Sequence, residues 1–172
     1  MGEYTLARPI LEELWQRNGG RVADSGVFIT DNAAALIEVR RDAGEEAKVG
    51  ELVAAIRDNV RLKREAGIIR AEMFYSVDFE EGLADFLAGE RKKGLELIAR
   101  GVEDGFFIMP NEAYLQTLYD DPGFAPIFAI QEARQSRERD KFLAIVCADN
   151  PYEEVWQPVE GTCEQFAAEG GN

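Results

Sequence analysis

The chain has 172 residues, 46% of them apolar and 10% aromatic, a composition that excludes a disordered polymer and suits one folded domain better than two. Its 33 acidic against 19 basic residues leave a formal charge of -14, a field that repels a nucleic-acid backbone and an anionic membrane surface alike. There is no histidine, so the commonest general base, the commonest metal ligand and every nucleophile arrangement built on them are missing, which argues against an enzyme and leaves no cofactor to expect.

The first element is a helix over residues 1–17, where Tyr4, Leu6, Ala7, Ile10, Leu11 and Leu14 follow Gly2-Glu3 at helical spacing. The stretch from Asn18 to Gly26 is rich in turn formers and reads as a loop. A helix hairpin is expected over 31–66. Its first helix opens at the capping oxygens of Thr30-Asp31-Asn32, carries Ala33, Leu36, Ile37 and Val39, and stops at Gly44. The second bears Val49, Leu52, Val53, Ile56 and Val60 as one stripe and ends at Gly67, where a helix-closing glycine belongs.

A second hairpin is expected over 70–104. Met73, Phe74, Val77, Leu83, Phe86 and Leu87 lie on its first helix, Leu95, Ile98 and Val102 on its second, and Gly89 divides them. Residues 111–148 read as C-terminal helices: a short one through Tyr114, Leu115 and Leu118, then a long one whose start is capped by Asp121 with Pro122 in the first helical position. The long helix is apolar at Phe124, Ile127 and Phe128, polar from Gln131 to Lys141, and apolar again at Phe142, so it should leave the core and return. Prolines and glycines make 149–172 irregular, while Tyr152, Val155, Trp156 and Phe166 call for a packed cap. Cys147, inside an apolar run, reads as a small buried hydrophobe. Its sixteen-residue spacing from Cys163 matches neither a zinc pair nor a small secreted disulfide framework, and a redox or metal role is the alternative. No apolar run reaches bilayer length and no signal sequence is legible, so the expected location is the cytoplasm.

The hairpins are related. Ala43 to Ala54 lies over Ala88 to Ala99 without a gap, 45 residues on, with seven of twelve positions identical. Two similar hairpins in series form an all-α superhelix of antiparallel pairs within a single domain. Gly2, Tyr4, Ala7 and Leu11, then Gly44 with Val53, and Gly89 with Gly94, Ile98 and Gly101, resemble the tetratricopeptide repeat over about residues 1–105. The period exceeds that family's usual length of about 34, and its first-helix signature is missing around Ala33 to Arg40. The segment from Tyr114 to Phe128 also resembles the closing helices of bacterial signalling proteins that end in such repeats, class III adenylate cyclases and large transcriptional regulators. That resemblance implies a C-terminal fragment with partner domains upstream.

In such arrays the first helix of each hairpin lines a concave groove, which implies contacts at Asp31, Ala34, Glu38 and Arg41 from one hairpin and Phe79, Leu83 and Phe86 from the next. Leu83 and Phe86 also suit a plain core role. Acidic Asp31 and Glu38 favour a basic or amphipathic peptide or protein as partner, with nucleic acid and membrane excluded. The mixed-charge run Arg134 to Lys141 reads as a solvated helix face, with docking of an acidic partner as the alternative. Glu80 and Glu81, beside Asp78, are adjacent and cannot act as one carboxylate pair on a helix. Asp120 and Asp121 beside Glu112 are better explained by helix capping than by a cation. The two other expectations are a small-ligand sensor arm, with a pocket lined by Phe74, Phe79 and Phe86, and a structural dimerisation domain with a broad apolar outer face.

Overall fold

The computed structural model describes residues 4–22, 29–68, 76–109 and 115–168, with side chains from Leu6 onward. Within these residues the chain is all-α, with eight helices and no strand. They are α1 Tyr4–Arg17, α2 Thr30–Asp42, α3 Glu46–Glu65, α4 Val77–Leu87, α5 Arg91–Glu103, α6 Gln116–Tyr119, α7 Ala125–Ala148 and α8 Thr162–Ala168. The chain divides into two compact units, 1–128 and 129–172.

In the first unit α1 packs on α2, α2 on α3, α3 on α4 and α4 on α5, and α4 also reaches back to α2. Each hairpin turns on a glycine in the left-handed region, Gly44 at φ +72° and Gly89 at φ +88°. In both, the glycine amide and the next one close onto carbonyls of the preceding helix: Gly44 to Arg41 and Glu45 to Arg40, Gly89 to Phe86 and Glu90 to Asp85. This is the helix ending that only a residue without Cβ adopts cheaply. The helix starts differ from expectation. The N-cap of α2 is Ile29, whose side chain has no acceptor, and the Thr30 hydroxyl one residue on donates to Glu80. Ser76 does cap α4, its Oγ accepting from the Phe79 amide at 3.1 Å. Met73 and Phe74, expected on that helix, lie outside the described residues.

The core of this unit contains Leu36, Ile37, Leu52, Ile56, Leu83 and Ile98, joined from the C-terminal side by Ile108, Leu115, Leu118 and Phe124. Burying a side chain of this size contributes roughly 1.5–3 kcal/mol. α4 and α5 meet along a glycine seam. A Cβ on Gly82 would stand 2.7 Å from the Gly94 carbonyl oxygen, and one on Gly94 2.6 Å from the Phe86 amide nitrogen. One on Gly101 would meet the Ser76 hydroxyl at 2.7 Å. The long helix begins at Ala125, later than Pro122, because the Asp121 carboxylate is held by Arg91 and by the Gly123 amide, closing a turn first.

In the second unit, Leu143 and Val146 of α7 pack with Phe166 of α8 into a small cluster of their own. The apolar end of α7 serves this cluster. Cys147 and Cys163 are joined by a disulfide, which corrects the reading of Cys147 as a free buried hydrophobe. The pairing was hidden because a sixteen-residue spacing says nothing until α8 folds back on α7. That helix also replaces part of the irregular cap. Tyr152, Val155 and Trp156, expected to be packed, are exposed at 51%, 85% and 44%.

Candidate functional site

Three buried ion clamps hold the helices that carry the expected contact residues. Arg40 of α2, almost fully buried, donates through Nε and Nη2 to the two Glu12 carboxylate oxygens of α1 at 3.1 and 2.7 Å, and through Nη1 to the Lys48 carbonyl of α3. That bidentate fork is the strong form of such a pair. It holds the Glu12 carboxyl below the ordinary glutamate range, against the opposing effect of burial. Lys63 of α3, equally buried, donates to Glu80 of α4 at 2.5 Å, and the Thr30 hydroxyl of α2 donates to the same carboxylate at 3.1 Å.

Asp85 of α4 receives Arg57 of α3 on one oxygen at 2.6 Å and faces Lys93 of α5 with the other at 2.8 Å. Burial pushes this carboxyl up, but the bonds from Lys93 and Arg57 outweigh it and leave it below the ordinary aspartate range. Asp78 and Glu81, one turn apart, share Arg64, while Glu80 points the other way toward Lys63. The neighbouring glutamates thus serve different partners.

Of the expected groove contacts, Ala34, Phe79, Leu83 and Phe86 are buried in the core, and the Phe79 ring lies 4.4 Å from that of Phe106. Asp31, Glu38 and Arg41 keep part of their surface. Glu38 accepts from Arg41 at 3.1 Å and from the Thr117 hydroxyl at 2.7 Å, so α6 leans on the face of α2 that would be open groove. Arg41 also donates to the Leu87 carbonyl at 2.5 Å, satisfying an acceptor at the α4 terminus.

Asp31 lies at a cavity of about 110 Å³ walled by Thr30, Ser76, Phe79, Glu80 and Phe106. That is well below the roughly 300–1,000 Å³ of a site for a drug-sized ligand. Arg41 instead stands between two open depressions. One, of about 570 Å³, is bordered by Phe86, Leu87, Arg91, Thr117 and Asp121. The other, of about 670 Å³, is bordered by Glu46, Val49, Val53, Arg57 and Leu87. Their walls mix charge with apolar side chains, as protein contact surfaces do.

Among the described residues no cluster of three or more His, Cys, Asp or Glu side chains is set to hold a metal, and no helix is long and apolar enough to cross a membrane. Glu112, grouped with Asp120 and Asp121 in the sequence, lies outside the described residues. Sequence reasoning missed Arg40, Lys63 and Asp85, since a charge on a core face looks like any other until its partner helix is placed. Gly82 was findable, as a mid-helix glycine twelve positions before Gly94. No family model matches the sequence, and neither a curated protein nor a solved structure matches the chain.

Proposed function

We propose that the chain is a non-catalytic protein-interaction module of the tetratricopeptide kind, with its partner surface centred on Arg41 and flanked by Glu38. The observation that carries this reading is the pair of open depressions sharing Arg41 and Leu87, at the end of the hairpins where α2, α4 and α6 converge. Their volume and mixed walls suit a peptide or a protein edge. The small cavity by Phe79 suits ordered water better than an effector, which weighs against a sensor arm. These walls carry Arg41, Arg57 and Arg91 beside Glu46, Asp120 and Asp121, which suits an amphipathic partner of mixed charge, including a segment of the same parent protein. Repeat pairing supports the family reading: Gly89, Gly94, Ile98 and Gly101 stand at the turn and along the α4–α5 contact, where small residues permit close approach.

The test is affinity capture from a lysate of the source organism, comparing wild type with the Glu38→Lys, Arg41→Glu double variant. A protein retained by wild type and lost by the variant, both folded by circular dichroism, supports the surface. Identical captures overturn it.

A further inference from the structure

The second unit presents an apolar face that its own small cluster does not use. Phe142 of α7 lies 5.4 Å from the Trp156 ring and 6.4 Å from that of Tyr152, yet these rings and neighbouring Ile145 and Val155 remain 41–85% exposed. The loop that brings them there is built. Asn150 accepts from the Tyr152 amide and donates to the Trp156 carbonyl, both at 2.9 Å, and the Trp156 amide closes onto the Tyr152 carbonyl at 2.8 Å. The disulfide anchors the other end of this loop to α7. A loop pinned by side-chain hydrogen bonds while exposing tryptophan, tyrosine and valine is an arrangement seen where aromatic anchors meet a partner. Five large apolar groups exposed together present several hundred Å², roughly the scale at which a surface patch marks a contact site.

Charge identifies the occupant. From Asp149 to Asn172 the chain has six acids and no Lys or Arg, while Arg134 to Lys141, one to two turns before Phe142 on α7, has four bases against two acids. The apolar face thus lies between a basic helical stretch and an acidic loop, both on one unit. Such an arrangement is self-complementary: about a two-fold axis near Phe142 and Ile145, each copy's basic stretch meets the other copy's acidic loop. We infer that this face is an isologous interface with a second copy of the chain, with Phe142, Ile145, Val155 and Trp156 at its centre and the Arg137–Lys141 turn against Glu153 and Glu154 at its rim. Two such faces together bury on the order of 1,000 Å², the lower bound for a specific interface. This inference is independent of the Arg41 surface, which lies in the other unit.

Sedimentation equilibrium of the full chain over 1–100 µM tests it. Wild type is expected to move from monomer to dimer across this range, and Ile145→Asp to stay monomeric with an unchanged helical spectrum. Arg137→Glu with Lys141→Glu, and separately Glu153→Lys with Glu154→Lys, are each expected to weaken self-association at least ten-fold. Mixing the two charge-reversed proteins should restore the dimer. Wild type monomeric at 100 µM, Ile145→Asp dimerising like wild type, or a mixture no tighter than its components would each overturn the proposal.

Discussion

Substituting Gly94 by alanine adds one methyl group where the backbones of α4 and α5 meet. The new Cβ would stand 2.6 Å from the Phe86 amide nitrogen, 2.7 Å from the Gly82 carbonyl oxygen and 2.8 Å from the Phe86 Cα. All three are backbone atoms, so no side chain can rotate away. Bringing 2.6 Å to the 3.4 Å of ordinary contact requires α4 and α5 to part by 0.8 Å. A gap of that size forfeits about a quarter to a half of each contact's attraction along the seam, including those of buried Leu83 and Ile98. Overpacking costs about 1–3 kcal/mol, and more where only backbone can yield as here, against which alanine returns about 1 kcal/mol of helix propensity. The net loss of about 1–3 kcal/mol lowers the melting temperature by roughly 3–10 °C.

Gly50 supplies the control, being exposed in α3 with nothing within 4 Å of its added Cβ. Gly50→Ala should raise stability by about 0.5–1 kcal/mol. Thermal unfolding of both variants by far-ultraviolet circular dichroism measures the difference. A Gly94→Ala protein as stable as wild type, or two variants shifting in the same direction, would refute the seam argument.

Asp85 and Glu12 are held below their ordinary ranges, so each stabilises the fold above its unfolded value of about 4 and that contribution is lost as pH falls through the lower folded value. Asp85→Asn should therefore be less stable than wild type at pH 7, with the gap in urea midpoint narrowing toward pH 3; parallel curves would contradict the clamp. Arg40→Ala strands Glu12 and the Lys48 carbonyl and should cost about 2–4 kcal/mol, read as a lower urea midpoint. Cys163→Ser opens a loop of 16 residues and should destabilise the second unit by about 3 kcal/mol. In a Trp15→Phe background, Trp156 fluorescence should report that loss in urea while circular dichroism retains the larger transition of the first unit.

Periodicity located the helices of the first unit well, because Val49, Leu52, Val53, Ile56 and Val60 make a stripe no strand would carry, and Gly44 and Gly89 mark turns by a local conformational need. The start of α2 was legible and its cap was not, since Thr30 looks like a capping residue until Glu80 arrives from fifty residues away. The same distance hid the clamps and the disulfide. Of the contacts that the repeat resemblance implied, polar Asp31, Glu38 and Arg41 keep part of their surface, while the apolar Ala34, Phe79, Leu83 and Phe86 turn inward. Ile108, Leu115 and Leu118 join their core, and although Leu115 and Leu118 were legible as a short helix, nothing local says which helices it packs against. Exposure of Tyr152, Val155 and Trp156 ran against their hydrophobicity, because Asn150 fixes their loop through hydrogen bonds to its own backbone.

The partner surface at Arg41 is tested most directly by site-specific photo-crosslinking, with a benzophenone side chain placed at Glu38 or, as a control, at exposed Gln135 of α7, in a lysate of the source organism. A discrete protein adduct is expected from position 38 and not from position 135. No adduct at position 38, or the same adducts at both positions, would contradict it.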